Sequence, residues 1–202
     1  MKQENLVVKI RKNRKYNSYK GEISQAVSNI IERNFRAHKP NQKWLTDITE
    51  FAIPAGKVYL SPIMDCFDGL LPCWTISTCP DSTLVNSMLD RAIALLNDNE
   101  YPIVHSHRGC HYRWPGWIKR MDKARFTRSM SKKGCSPDNS ACEGLFGRLK
   151  NEMFYNQDWS GVSIEEFIDT LNVYLVGYNE RRIKILLGNM SPKEYRQSLR
   201  FP

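Results

Sequence analysis

No run of 18 apolar residues occurs anywhere in the 202-residue chain, so no membrane-spanning helix is expected. The opening MKQENLVVKIRKNRKYNSYK also lacks the apolar stretch and cleavage site of a secretory signal, which points to a cytosolic protein. The six cysteines, Cys66, Cys73, Cys79, Cys110, Cys135 and Cys142, form no C-x-x-C pair. A reduced protein of this length needs no disulfide framework, and they are read as buried thiols. A Gly-rich phosphate loop, G-x-S-x-G and H-E-x-x-H are missing, which removes the commonest nucleotide, hydrolase and zinc-peptidase readings. No long repeat or low-complexity tract is present. Acids are scarce: 21 Asp plus Glu stand against 30 Lys plus Arg, giving a formal charge of +9. With 41% hydrophobic and 11% aromatic residues the chain can build a core, so this charge must lie on the surface and biases it toward polyanions, nucleic acid or an anionic membrane face.

The first twenty residues hold seven Lys or Arg and one acid, and 1–40 reads as a basic arm or linker ahead of a domain at 41–202. From Trp44 the pattern turns β-rich. WLTDITEFAI, KVYLSPIMD after a Pro54-Ala55-Gly56 turn, and LLPCWTIS beyond Asp68-Gly69 predict an antiparallel meander. After Asp81 the period becomes helical, with Leu84, Met88, Ala92 and Leu95 in one stripe and Val85, Leu89, Ile93 and Leu96 beside it. YPIVHS then reads as a strand, YRWPGWIKRMDKA as a short helix, FTRSMS as another strand, and SKKGCSPDNS as a mobile turn-rich link. A helix over about 140–156 places Cys142, Phe146, Leu149 and Met153 on its apolar face. Another starts at Ser163 with Glu166 three residues on, a capping box, and a short one follows Ser191-Pro192. This order describes a ribonuclease-H-like α/β fold: a mixed five-stranded sheet, three antiparallel meander strands plus two parallel, flanked by helices.

Three residues stand out for chemistry: Asp47 in WLTDITEF, His107 in VHSHRGCHY and Glu143 in NSACEGLFGRLKNE, the last two separated by 35 residues. Each has a plainer explanation. A strand aspartate commonly satisfies a neighbouring backbone group or lysine, and Glu143 sits three after Ser140, the spacing of a capping box. Against this, Glu143, Gly147 and Lys150 form a helical stripe apart from the apolar one, so a carboxylate, a gap and a cation face one way. His105, His107 and His111 allow a zinc site as a rival, although no cysteine or acid at metal-site spacing completes four ligands. Residues 111–134 carry eight Lys or Arg against one Asp, with Tyr112, Trp114 and Trp117 interleaved, and 181–200 add six against one Glu. Such clusters line phosphates or form solvated faces, and the two tryptophans are read as core.

KPNQKWLTDITEF, the HS-x-RG segment, the Asn-Ser-x-x-Glu helix, YNERRIK and SPKEYR together resemble the integrase catalytic core of bacterial insertion-sequence transposases, in particular the second-frame protein of the insertion sequence 3 family. The similarity runs from about residue 38 to 200. It implies a DDE-type enzyme for DNA integration and recombination, in which two aspartates and a glutamate hold two Mg²⁺ or Mn²⁺ ions for DNA cleavage and strand transfer. Asp47 matches the first carboxylate and Glu143 the third, both as catalytic and metal-binding residues. The second falls on His107. Hard Mg²⁺ prefers oxygen ligands, and a bridging aspartate sets two ions roughly 3.5 to 4 Å apart. Imidazole offers one nitrogen, no charge and no bridge, so catalysis in this copy is expected to be impaired. His105 matches a histidine beside the metal site, and Asp65 a family aspartate taken as structural.

The resemblance further implies DNA as partner, both element ends and target, through Lys150, Arg148, Arg108, Lys132 and Lys133. It implies a homo-oligomer when active, a first-frame helix-turn-helix polypeptide or a full-length fusion to supply end recognition, and a bacterial cytoplasmic, nucleoid-associated location with no membrane. The arm residues Lys9, Arg11, Lys12, Arg14 and Lys15 resemble the tail of the helix-turn-helix region. The competing readings are a non-catalytic DNA-binding or oligomerising remnant and a zinc-binding nucleic-acid module.

Overall fold

The first β-rich run, expected as one strand, is broken in two: β1 spans Lys43–Thr46 and β2 spans Thr49–Ile53. Both pair antiparallel with the long β3, Gly56–Asp65, with Thr46 opposite Ile63 and Thr49 opposite Leu60. Asp47 and Ile48 therefore face Ser61 and Pro62. The Ile63 N–H points away, to the Cys73 carbonyl at 3.0 Å, so the donor that Pro62 lacks is missing on the Asp47 side. Asp47 closes the gap itself, its Oδ1 accepting the Ile48 N–H at 2.7 Å.

The computed structural model describes residues 23–201, so the arm residues Lys9, Arg11, Lys12, Arg14 and Lys15 lie outside the described residues. β4, Trp74–Ser77, pairs with β3 on the side away from β2, while β5, Ile103–Ser106, and β6, Thr127–Met130, run parallel to β1 and extend the sheet beyond it. The expected five strands thus become six through the break at Asp47, with the meander-plus-parallel topology intact. Five α-helices are described: α1 Ser82–Ala94, α2 Pro115–Lys123, α3 Ser140–Leu149, α4 Ile164–Glu180 and α5 Pro192–Ser198. Asp81 caps α1 by accepting the Leu84 N–H, and capping boxes form at Ser163 with Glu166 and at Ser191 with Glu194. The α1 stripe is shorter than the periodicity predicts. The helix stops at Ala94, and Leu95 turns outward, 58% exposed.

Alternation along β1 divides the core between the two faces of the sheet. Trp44 packs with Ile63 and Val104 against Val85, Met88, Leu89, Trp117 and Met121 of α1 and α2. Leu45 packs with Leu60 and Met64 against Cys142, Leu145, Leu149, Phe167 and Leu171 of α3 and α4. Each such side chain stabilises the fold by about 1.5–3 kcal/mol relative to exposure. Trp114 and Trp117 are buried, as expected of core residues. The thiols depart from expectation: only Cys73 and Cys142 are buried, Cys66, Cys110 and Cys135 are half-buried and Cys79 is exposed, all of them free. Burial pushes the Cys66 and Cys73 thiols up to about 12. Among the described residues no helix is long and apolar enough to cross a membrane.

Candidate functional site

Three parallel strands end side by side, and the segments that leave them meet in one cavity. Asp47 follows β1, His107 follows β5, and residues 131–133 follow β6. The carboxyl edge of parallel strands is where open α/β sheets form binding crevices, because the outgoing loops diverge there. α3 enters from above the sheet and brings Glu143. Asp47, His107, Glu143, Arg108, Lys132 and Lys133 all line this cavity, of about 960 Å³. The structure thus assembles from four separate elements what the sequence held 96 residues apart at its extremes.

Asp47 is the most constrained of the group. Its Oδ1 accepts the Ile48 N–H and lies 2.7 Å from His107 Nδ1. That second approach is close in distance but lacks hydrogen-bond alignment, and His107 Nδ1 is left buried without an aligned acceptor. Asp47 Oδ2 accepts from Asn139 Nδ2 at 3.2 Å, while the Asn139 Oδ1 stays buried and unsatisfied. The His107 ring stands edge-on to Tyr112, centroids 5.4 Å apart, and a side chain at Gly109 would collide with its Nε2. A larger residue at 109 would therefore require the half-exposed imidazole at 107 to move. Glu143 contrasts with Asp47: it is exposed and makes no hydrogen bond or ion pair with any described residue. The capping box that would have explained it does not form, since α3 is capped by Asn139 with no side-chain bond and Ser140 is already helical.

Beneath the cavity His105 is fully buried, its Nδ1 2.9 Å from Ser129 Oγ and its Nε2 3.2 Å from Ser131 Oγ. Burial pulls this histidine down to about 4, so it is neutral near pH 7. The turn-rich link is anchored by Asp138, whose carboxylate accepts from Arg33 Nε at 2.8 Å and from the Lys132 N–H at 2.9 Å. The Arg33 guanidinium, the Lys132 amide and neighbouring donors hold Asp138 well below the usual carboxylate range. Lys132 and Lys133 are thereby presented to the cavity on a fixed turn.

Other sequence candidates lie elsewhere. Lys150 does not line this cavity: its ammonium sits over the Phe51 ring, 5.5 Å from the centroid, where α3 loosens into a π-turn over Lys150–Phe154. Arg148 opens onto a separate cavity with Asp65, Tyr178 and Lys184. Asp65 is fully buried and pairs with Arg196 at 2.8 Å, a structural role as expected. The 181–200 cations are largely engaged, Arg182 with Glu152, Lys193 with Glu180 and Arg196 with Asp65 and Asp68. His111 Nε2 donates to the Pro80 carbonyl at 2.8 Å, so with His105 held by two serines the three-histidine zinc arrangement does not form. Among the cavity residues missed as individuals are Asn139 and Arg113. Asn139 lay in the Asn-Ser-x-x-Glu stretch already quoted, and the orphaned half of its amide is the sign of its place at the site.

The donor set does not suit Mg²⁺ as it stands. Each Asp47 oxygen already accepts a hydrogen bond, and the His107 imidazole beside it offers nitrogen where hard Mg²⁺ prefers oxygen. Among the described residues no three His, Cys, Asp or Glu side chains lie close enough together to hold an ion.

The integrase core domain family matches this chain twice, over residues 37–136 and 143–199. A transposase of insertion sequence element IS1353 from Shigella flexneri is 55% identical over 199 residues, covering 98% of this chain and 39% of its own length. A transposase-like protein of Haemophilus influenzae is 39% identical over 189 residues, covering 93% of this chain and 86% of the relative. This chain thus spans about two fifths of the Shigella protein. Among solved structures, the HTLV-2 integrase catalytic core domain, determined in complex with magnesium in a trimeric form, superposes with a TM-score of 0.60 at 19% identity, covering 77% of this chain and 96% of that one. At that identity the likeness concerns the fold, which is that of a ribonuclease-H-like integrase core.

Proposed function

The chain belongs to the integrase-core family of insertion-sequence transposases, as its resemblance to the insertion sequence 3 family implied. From that membership we propose that the cavity at the carboxyl ends of β1, β5 and β6 is the DNA-processing site of a DDE-type core, and that His107 impairs strand transfer in this copy. The observation that carries the reading is the convergence of Asp47, His107 and Glu143 on one cavity. In the family pattern the residues at the Asp47 and Glu143 positions would hold divalent ions, which would supply Lewis-acid chemistry at the reacting phosphate. The residues of this chain act on the DNA itself. Arg108, Lys132 and Lys133 hold phosphates by charge, Asn139 fixes the rotation of the Asp47 carboxylate, and Glu143 remains uncommitted. Lys150 and Arg148, which lie outside this cavity, would contact DNA only where it runs beyond α3.

A non-catalytic DNA-binding or oligomerising remnant is the second reading, supported by the 2.7 Å His107–Asp47 contact, which sets an imidazole rather than a carboxylate beside Asp47. As a whole protein, this reading includes element ends and target DNA as ligands, a homo-oligomer as the active form, a helix-turn-helix region on a first-frame polypeptide or a fusion, and residues 1–40 as an arm preceding the 41–202 core. The test compares the chain with His107→Asp in calorimetric Mg²⁺ titration and in strand transfer on labelled duplex ends. His107→Asp is expected to gain Mg²⁺ binding and activity. Equal ion binding and equal activity in both would refute the proposal.

A further inference from the structure

At the opposite ends of the same strands lies a second basic cavity, of about 660 Å³, separate from the one that holds Asp47. Lys43 opens β1 and Asp47 follows its end, so the two sites are separated by about 13 Å of strand. Its cations are Arg36, Lys39 and Lys43, with the His38 imidazole beside them, and Glu100 is the one acid that lines it. Glu100 is turned into the wall: its Oε1 accepts from Asn41 Nδ2 at 2.8 Å and its Oε2 from the Asn97 N–H at 2.8 Å. Burial pushes this carboxyl up, and the bonds from Asn97 and Asn41 outweigh that and hold it below its ordinary value. Arg36, His38 and Lys39 are exposed and make no side-chain hydrogen bond or close ion pair with a described residue, although the Lys39 charge also helps to lower Glu100.

The loop that bears these charges is fixed before any ligand arrives. Gln42 Oε1 accepts both the His38 N–H at 2.8 Å and the Lys39 N–H at 3.3 Å. Asn41, in the left-handed region at φ 61°, donates its N–H to buried Asp65 at 2.8 Å. Lys43 Nζ is held on the Asn34 carbonyl at 3.0 Å. Like charges brought together on a rigid loop repel one another, and a bound anion relieves that repulsion without the entropic cost of ordering the loop. The cavity is open and wider than one phosphate requires, which suits successive phosphates of a chain.

We propose that Arg36, His38, Lys39 and Lys43 form a second phosphate cradle, for the backbone of a DNA duplex, distinct from the cavity at Asp47. It shares with the proposed function only the premise that DNA is the ligand and involves no strand transfer. The test is fluorescence anisotropy of a labelled duplex with the full chain in EDTA across a salt series. Arg36→Ala/Lys39→Ala is compared with Lys119→Ala/Lys123→Ala, which removes the same charge from the exposed side of α2. Loss of two phosphate contacts is expected to lower the slope of log K against log salt by about 1.8 in the first pair and to leave it near the parent value in the second. In parallel, the Asn41 and Gln42 amide resonances are expected to shift with duplex, and inorganic phosphate is expected to be displaced by it. Equal slopes in the two double variants overturn the cradle. Phosphate that saturates the loop and is not displaced by duplex overturns DNA as its ligand. Loss of binding in a Lys132→Ala/Lys133→Ala variant with no loss in Arg36→Ala/Lys39→Ala sinks the cradle and spares the proposed function.

Discussion

Two histidines two residues apart have opposite environments, and the difference lies in where β5 ends. His105 is inside the strand, enclosed by the sheet and two serines, whereas His107 is past its last residue and 41% of its side chain meets solvent. The strand stops at Ser106, so the sheet that encloses His105 does not cover His107. Burial of His105 has a consequence for acid stability. The unfolded chain takes up a proton near 6.5 and the folded one only near 4. Between these values the unfolded state binds more protons, so the stabilisation is complete above about 6.5 and is lost as pH falls toward 4. Urea unfolding at pH 7.5 and pH 4.5 is expected to differ, in the share removed by His105→Gln, by on the order of 2 kcal/mol. An identical pH slope in parent and variant would contradict this. Asp47 and Glu143 were legible from motif spacing. The freedom of Glu143 was not, because the same three-residue spacing from Ser140 also spells a capping box, and only the position of the helix start, one residue earlier, decides between them.

At the level of elements, a single proline sets the geometry of the site. Had residue 62 carried an N–H, β1 and β2 could join in one ladder, and Asp47 would be one more strand residue. Pro62→Ala is expected to supply that donor. Hydrogen exchange should then find the residue 62 amide protected to the same degree as its β3 neighbours. An amide at 62 that exchanges as fast as an exposed loop amide would show that the break has another cause. The strand itself was readable from alternation, but the break was not, since it depends on which residue of β3 lies opposite Asp47. α5 makes a similar point at the other end of the chain. Arg196 looked like one more surface cation in a basic stretch, yet its guanidinium reaches Asp68 at 2.5 Å and Asp65 at 2.8 Å, both buried. Arg196→Met would leave two carboxylates enclosed without a counter-charge, a loss of about 3–5 kcal/mol. Denaturant unfolding checks it, and a loss below 1 kcal/mol would mean that α5 detaches without disturbing the sheet.

Across the whole molecule, charge is sorted by position. Ion pairs absorb several cations of the C-terminal stretch, the two faces of the sheet are covered by helices, and Arg108, Lys132 and Lys133 stand exposed around one cavity where two carboxylates also lie. The sequence gives the total of +9 but not this sorting, because the partners of Arg182 and Arg196 are 30 and 128 residues away. On the proposed function, these three exposed cations would offset the carboxylates toward a polyanion, so that a phosphate backbone can approach Asp47 and Glu143 against their repulsion. If each neutralises one phosphate, replacing all three with alanine lowers the salt slope by about 2.7 and weakens duplex binding at 50 mM salt far more than at 200 mM. The parent is expected to lose about forty-fold more affinity than the triple variant across that fourfold rise in salt, as 4 raised to a power of about 2.7. Filter binding in EDTA measures it directly, and parallel salt dependences for parent and variant would place the DNA on another surface of the protein.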